Sequence, residues 1–155
     1  MDSSPKNFPH WSHNEERVTM ERIYYDSRTG NVERFIQKVK TLTGWEFHKI
    51  QDGQDVFEPG HLVTFTTRFG EIPETTRRFL EQAAPYLTSV SSSGNRNWGR
   101  NFALAADIIA SDYGIPQLLK FELSGTPEDV QQFIHYIEEK NYGNKRTRQE
   151  LDSTQ

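Results

Sequence analysis

Short apolar runs alternate along the chain with apolar stripes that recur every three to four positions, and polar segments rich in glycine, serine and asparagine separate them. Arg22–Asp26 (RIYYD) predicts a first strand. After the turn Ser27-Arg28-Thr29-Gly30, Val32, Phe35, Ile36 and Val39 fall at i, i+3, i+4 and i+7 and predict an amphipathic helix. Glu46–Ile50 predicts a second strand, and His61–Thr66, carrying Leu62, Val63 and Phe65, a third. Pro73 opens a helix that runs through Phe79 and Leu80 to about Ala84. Tyr86–Ser92 predicts a fourth strand, Asn101–Tyr113 a helix with Phe102, Ala105, Ala106 and Ile109 on one side, and Leu118–Leu123 a fifth strand. The last helix carries its own start signals: Thr126 can cap it, Pro127 suits its first position, and Val130, Phe133, Ile134 and Ile137 repeat the stripe.

Strands separated by helices need crossover connections, and crossovers make a mostly parallel sheet covered on both faces. Five strands in this span fit an α/β doubly wound sheet of order 2-1-3-4-5. In that order the ligand crevice lies beyond the carboxyl ends of the strands, so the loops after strands one, three and four should line it. The ends read differently. Residues 1–19 are polar, contain Pro5 and Pro9 and show no periodicity, which predicts a flexible leader. Gly143–Gln155 reads as a polar tail with a basic knot at Lys145, Arg146 and Arg148, leaving residues 20–142 as one folded domain.

Composition narrows the chemistry. Of 155 residues only 34% are hydrophobic, yet 12% are aromatic, more than a disordered chain usually carries. No apolar run approaches the roughly 18 residues that span a bilayer, and the first residues lack the apolar centre of a signal peptide, so neither a membrane nor export is expected and the cytoplasm is the predicted compartment. The absence of cysteine excludes disulfides, thiolate metal sites and thiol redox cycles, so any redox chemistry must come from a cofactor. A net charge of −4 argues against nucleic acid as a partner. His10, His13, His48, His61 and His135 show no metal-ligand spacing, and no metal is expected. The third strand ends Thr64-Phe65-Thr66, without the aspartate a phosphate-accepting receiver domain would need.

Three loops then carry the chemistry. In Ser27-Arg28-Thr29-Gly30-Asn31, two hydroxyls, an amide and a glycine stand where a helix begins, so free N–H groups and the positive end of the helix dipole converge. No Gly-Lys-Ser/Thr follows, and a monophosphate held by neutral donors is the better match, although an ordinary capped turn has the same composition. Thr66–Pro73 contains Phe69, able either to line a flat ligand or to pack into the core, and Gly70. The loop Ser91–Asn101 is long for its type, and Trp98 stands between polar residues, where it can cover the face of a flavin while backbone donors near Gly94 and Gly99 address the ring's polar edge; a merely buried tryptophan is the other reading. Arg68, Arg96 and Arg100 belong to these loops and are expected to form a basic rim.

Together, the S-x-T-G-N turn, the glycine-bearing third loop and Ser93-Gly94-Asn95-Arg96-Asn97-Trp98-Gly99 resemble the NrdI family, flavodoxin-like FMN proteins that accompany class Ib ribonucleotide reductase. Ile72–Phe79 (IPETTRRF), Asn101–Ile109 (NFALAADII) and Lys120–Val130 (KFELSGTPEDV) extend the similarity over most of residues 20–140. The resemblance implies FMN, with Ser27, Arg28, Thr29, Gly30, Asn31 and Val32 around its phosphate. Around its ring it implies Thr67, Arg68, Phe69, Gly70, Ser93, Gly94, Asn95, Asn97, Trp98 and Gly99. Val32 departs from flavodoxins at large, where a second threonine is common. The resemblance also implies a partner, the radical-bearing dimanganese small subunit of the reductase, supplied with superoxide made from dioxygen by the reduced cofactor, and an electron donor it does not identify. No residue of the chain itself is expected to be catalytic. The alternatives are a generic flavodoxin-type electron carrier or an NAD(P)H-dependent flavin reductase on the same fold, and a colourless interaction domain.

Overall fold

The computed structural model describes residues 20–51 and 57–153, with side chains as far as Lys140. Five strands, β1 (Arg22–Tyr25), β2 (Glu46–Lys49), β3 (Gly60–Phe65), β4 (Leu87–Gly94) and β5 (Gln117–Glu122), form one parallel sheet in the order β2-β1-β3-β4-β5. That is the 2-1-3-4-5 order expected of a doubly wound sheet. Three helices connect strands, α1 (Asn31–Thr43) between β1 and β2, α2 (Glu74–Ala83) between β3 and β4 and α3 (Leu104–Tyr113) between β4 and β5, and α4 (Pro127–Ser153) follows β5. The predicted stripe of α1 is its buried face, Val32, Phe35, Ile36 and Val39. With Val130, Phe133 and Ile137 of α4 it closes one side of the sheet, where the Phe35 ring stacks on Phe121 at 4.0 Å and meets the edge of Phe133 at 5.3 Å. Tyr24, Leu62, Phe79, Leu80, Val90 and Ile109 build the second core under α2 and α3.

β4 is the central strand of least typical composition, LTSVSSSG, and it runs two residues beyond the predicted Ser92 to Gly94. Serine and glycine have little strand preference, but both neighbours carry the ladder onward: Ser93 pairs with Phe65 on one side and Phe121 on the other, and Gly94 with Glu122. Buried hydroxyls in such a strand need partners. Ser89 Oγ meets His61 Nδ1 at 2.7 Å, and the other ring nitrogen of that buried histidine meets Glu21 at 3.0 Å. Ser92 Oγ donates to the Ala103 carbonyl and accepts the Ala106 N–H, and Ser93 Oγ donates to the Leu123 carbonyl. Ser91 Oγ, fully buried, has no partner.

Two further boundaries differ from expectation by more than one residue. α3 starts at Leu104 rather than Asn101, because Arg96–Asn101 winds into 3-10 turns interrupted at Gly99 (φ 57°, ψ −123°). The backbone of α4 stays helical through Ser153, past Gly143 where polarity suggests a tail; Lys, Arg, Gln, Glu and Leu are good helix formers whatever their polarity. The leader expected over residues 1–19 lies outside the described residues.

The serines of β4 make a paired test of stability. Ser92→Ala orphans a buried amide and is expected to cost about 1–3 kcal/mol. Ser91→Ala removes a hydroxyl that bonds to nothing and is expected to be neutral or stabilising by up to about 1 kcal/mol. Urea unfolding of both variants gives the two values, and equal losses would contradict the assignment.

Candidate functional site at the carboxyl edge of the sheet

Because every strand is parallel, α1, α2, α3 and α4 all begin at the same edge, and the positive ends of their dipoles gather there. Side chains answer these ends to different degrees. At α3, the Ala105 N–H goes to Thr66 Oγ1 (3.0 Å) and the Ala106 N–H to Ser92 Oγ (3.1 Å). At α4, Thr126 and Asp129 form a reciprocal capping box. At α2, the buried carboxylate of Asp26 accepts a 2.6 Å bond from Thr76 in the first turn, and Thr76 also meets Thr64 at 2.7 Å.

α1 is different. Gly30, at φ 98°, is its N-cap and offers no side chain; Ser27 Oγ takes the Glu33 N–H at 3.1 Å, and the Arg34 N–H reaches the Gly30 carbonyl. The amides of Asn31 and Val32 precede any intrahelical acceptor. Thr29 and Arg28 are exposed, and Val32, buried in the core, offers only its backbone. Glu33, the acidic residue of this first turn, turns away toward Gln37 and Lys49, with the Tyr25 hydroxyl at 3.5 Å. Burial, then the Glu33 charge, pushes the Tyr25 hydroxyl above the ordinary tyrosine range, so it remains a proton donor.

The ring-side residues divide by what they touch. Arg28 reaches from the first loop to the end of β3, its guanidinium 5.3 Å above the Phe65 ring. Thr67 closes the third loop on itself: its N–H and Oγ1 both bond Glu71, and its carbonyl accepts from Gly70. Phe69 is 76% exposed, so core packing, one of its two sequence readings, is not its role. Trp98 is half-exposed in the fourth loop rather than buried. Asn95 caps the 3-10 segment by accepting the Asn97 N–H, and Asn97 itself is exposed. Ser93 and Gly94, expected in the loop, belong to β4 and are buried. A β-carbon at Gly94 would lie 2.3 Å from the Ala103 nitrogen, so this glycine serves the close approach of β4 to the start of α3. Gly70 likewise faces Asn101, 2.9 Å from where a β-carbon would stand, which ties the third loop to the fourth. Around Gly99 an added β-carbon would meet open space. Ala103 and Leu123 hold positive φ at the same edge, backbone strain of the kind that concentrates at functional sites.

Of the three rim arginines, Arg96 is engaged: its side chain stands 3.7 Å from Glu122 and 4.4 Å over the Phe102 ring. Arg68 and Arg100 are exposed. Sequence reasoning missed Asp26, Arg34 and Ser124. Arg34 carried a usable signal, since it lies three and four positions after Asn31 and Gly30 and so on their face of the helix. Ser124 follows β5, a loop outside the three expected, and reaches the first turn only because α1 and α4 cover the same side of the sheet.

Comparison with solved structures defines the class. Flavodoxin 2 in its oxidised form from Bacillus cereus aligns over 77% of this chain and 97% of its own, with a TM-score of 0.58 and 20% identity. A Streptococcus pneumoniae TIGR4 flavodoxin aligns over 76% and 94%, with a TM-score of 0.52 and 20% identity. The fold is flavodoxin-like. Residues 23–135 match the NrdI flavodoxin-like family, and the chain belongs to it. Protein NrdI of Macrococcus caseolyticus is 48% identical over 76% of this chain and 88% of its own length, and Protein NrdI of Bacillus licheniformis 46% over 77% and 88%.

Gly94→Ala is expected to destabilise the protein by about 1–3 kcal/mol, since the start of α3 must shift to admit the methyl group. Thermal unfolding measures it, and an unchanged midpoint would show that the contact with Ala103 yields easily.

Proposed function

We propose that the chain is the FMN-binding activator of a class Ib ribonucleotide reductase, as its family resemblance implies. The observation that carries the reading is the family match over residues 23–135, which spans the three expected loops and the start of α1, where a glycine is the N-cap. The cofactor is FMN. Ser27, Thr29 and the amides of Asn31 and Val32 hold its phosphate, with Arg28, Gly30 and the backbone of Val32 shaping the turn. Phe69 and Trp98 flank the ring, and Thr67, Gly70, Asn95, Asn97 and Gly99 shape the loops around it. Ser93 and Gly94 act from beneath by fixing the end of β4.

When bound, FMN supplies the one-electron chemistry that converts dioxygen to superoxide, the oxidant for a dimanganese centre. The chain's own contribution is to hold the phosphate and orient the ring. Arg68 and Arg100, with the exposed Phe69, present a charged and apolar rim to the small subunit. Arg96, paired with Glu122, stiffens the fourth loop instead. The electron donor is a separate reductant. No helix among the described residues is long and apolar enough to cross a membrane, and the proposed partner places the work in the cytoplasm.

The test is flavin titration of the purified protein followed by its absorption spectrum. FMN is expected to bind one to one and at least tenfold more tightly than riboflavin, because charge-assisted hydrogen bonds are worth about 1.5–3 kcal/mol each. The FMN-loaded, reduced protein is then expected to raise the radical yield of a manganese-loaded small subunit in the presence of dioxygen. Equal affinity for the two flavins would overturn the phosphate assignment, and an unchanged radical yield would overturn the partner.

A further inference from the structure

Arg34 occupies the fourth position of α1, and its guanidinium folds back over the start of its own helix. Nε donates to Ser124 Oγ at 3.0 Å and Nη2 to Asn31 Oδ1 at 2.7 Å, while Ser124 Oγ donates to the same Asn31 oxygen at 3.0 Å. The remaining nitrogen, Nη1, lies over Gly30, 2.8 Å from where a β-carbon would stand. Electrostatically this is the wrong end of the helix for a cation, since the dipole's positive end is there already. Nor is the charge answered by an acid. Among the described residues no carboxylate stands within ion-pair distance of Arg34, and neighbouring Glu33 faces Tyr25, Gln37 and Lys49. Its bonds go to neutral oxygens. Lys38, one turn on, likewise donates to the Ser124 and Gly125 carbonyls.

A cation held by two neutral oxygens against a helix N-terminus breaks a local rule, and such breaks are expected at functional sites. The sequence suggested a phosphate turn of neutral donors; the geometry adds a guanidinium to it. We propose that Arg34 is the counter-charge of the phosphate site, with Nη1 directed at the phosphate oxygens across Gly30 and Ser124 acting as the positioning residue that holds Nε. This rests on the FMN reading. It also gives Gly30 a second purpose, because any side chain there would push the guanidinium out of place. A phosphate monoester is largely dianionic near neutral pH, so one guanidinium together with the helix end matches its charge.

The test measures dissociation constants of FMN and riboflavin by quenching of flavin fluorescence, with the full chain as wild type, Arg34→Gln, Arg34→Lys and Ser124→Ala. Arg34→Gln is expected to weaken FMN roughly 10- to 100-fold, the equivalent of a lost charge-assisted bond, and to leave riboflavin within about twofold. Its FMN affinity should depend less on salt than that of wild type. The ligand-free variant should melt no lower, because removing this cation relieves the clash with the dipole. Arg34→Lys should keep more of the FMN preference, and Ser124→Ala should lose part of it. Undiminished preference in Arg34→Gln, or equal weakening of both flavins in Arg34→Gln and Arg34→Lys, would overturn the proposal. A wild-type protein that does not distinguish FMN from riboflavin would instead overturn the flavin reading on which it rests.

Discussion

A parallel sheet forces every following helix to start at one edge, and the rest of this molecule is arranged around the charge that results. Four positive helix ends and their unsatisfied N–H groups face the same region. Thr66 and Ser92 answer α3, the Thr126–Asp129 box answers α4, and Asp26 with Thr76 answers α2. At α1 the arrangement differs: the N-cap is a glycine, Ser27 takes the Glu33 amide, the nearby acid turns away and an arginine turns in. The start of α1 thereby keeps a guanidinium beside it and leaves the amides of Asn31 and Val32 without an intrahelical acceptor.

The serine-rich β4 fixes the start of α3 mechanically. A strand of larger residues could not supply Ser92 to the α3 amides or let Ala103 approach Gly94 so closely. The positive φ of Ala103 lies at this contact. Strain of this kind persists only where surrounding structure holds it, and here Gly94, Ser92 and Thr66 hold it from three sides. The fourth loop departs from a fixed base, with Trp98 half-exposed in it, Phe69 exposed in the third loop, and Gly70 and Asn101 joining the two loops.

Much of this was legible in the sequence because it rests on periodicity. The stripe Val32, Phe35, Ile36 and Val39 is the buried face of α1, and alternating strands and helices are enough to imply the 2-1-3-4-5 sheet. What was not legible depends on neighbours distant in sequence. β4 extends over Ser93 and Gly94 because β3 and β5 pair with it there, not because those residues favour strands. The start of α3 shifts to Leu104 because Arg96–Asn101 winds into 3-10 turns before it, and Thr66 and Ser92 take the Ala105 and Ala106 amides of the turn that follows. The motif S-R-T-G-N marked a glycine-bearing turn before α1, but composition could not show which of its amides would be capped. Nor could it bring Ser124, 93 positions after Asn31, beside it.

The most direct test of an anion site at the start of α1 is a backbone-amide NMR titration with inorganic phosphate, which has no ring to perturb distant signals. The account predicts that shifts concentrate at Asn31, Val32 and the rest of the Ser27–Asn31 turn, while Ala105 and Ala106, held by Thr66 and Ser92, stay still. Shifts at Ala105 and Ala106 with the α1 turn silent would contradict it.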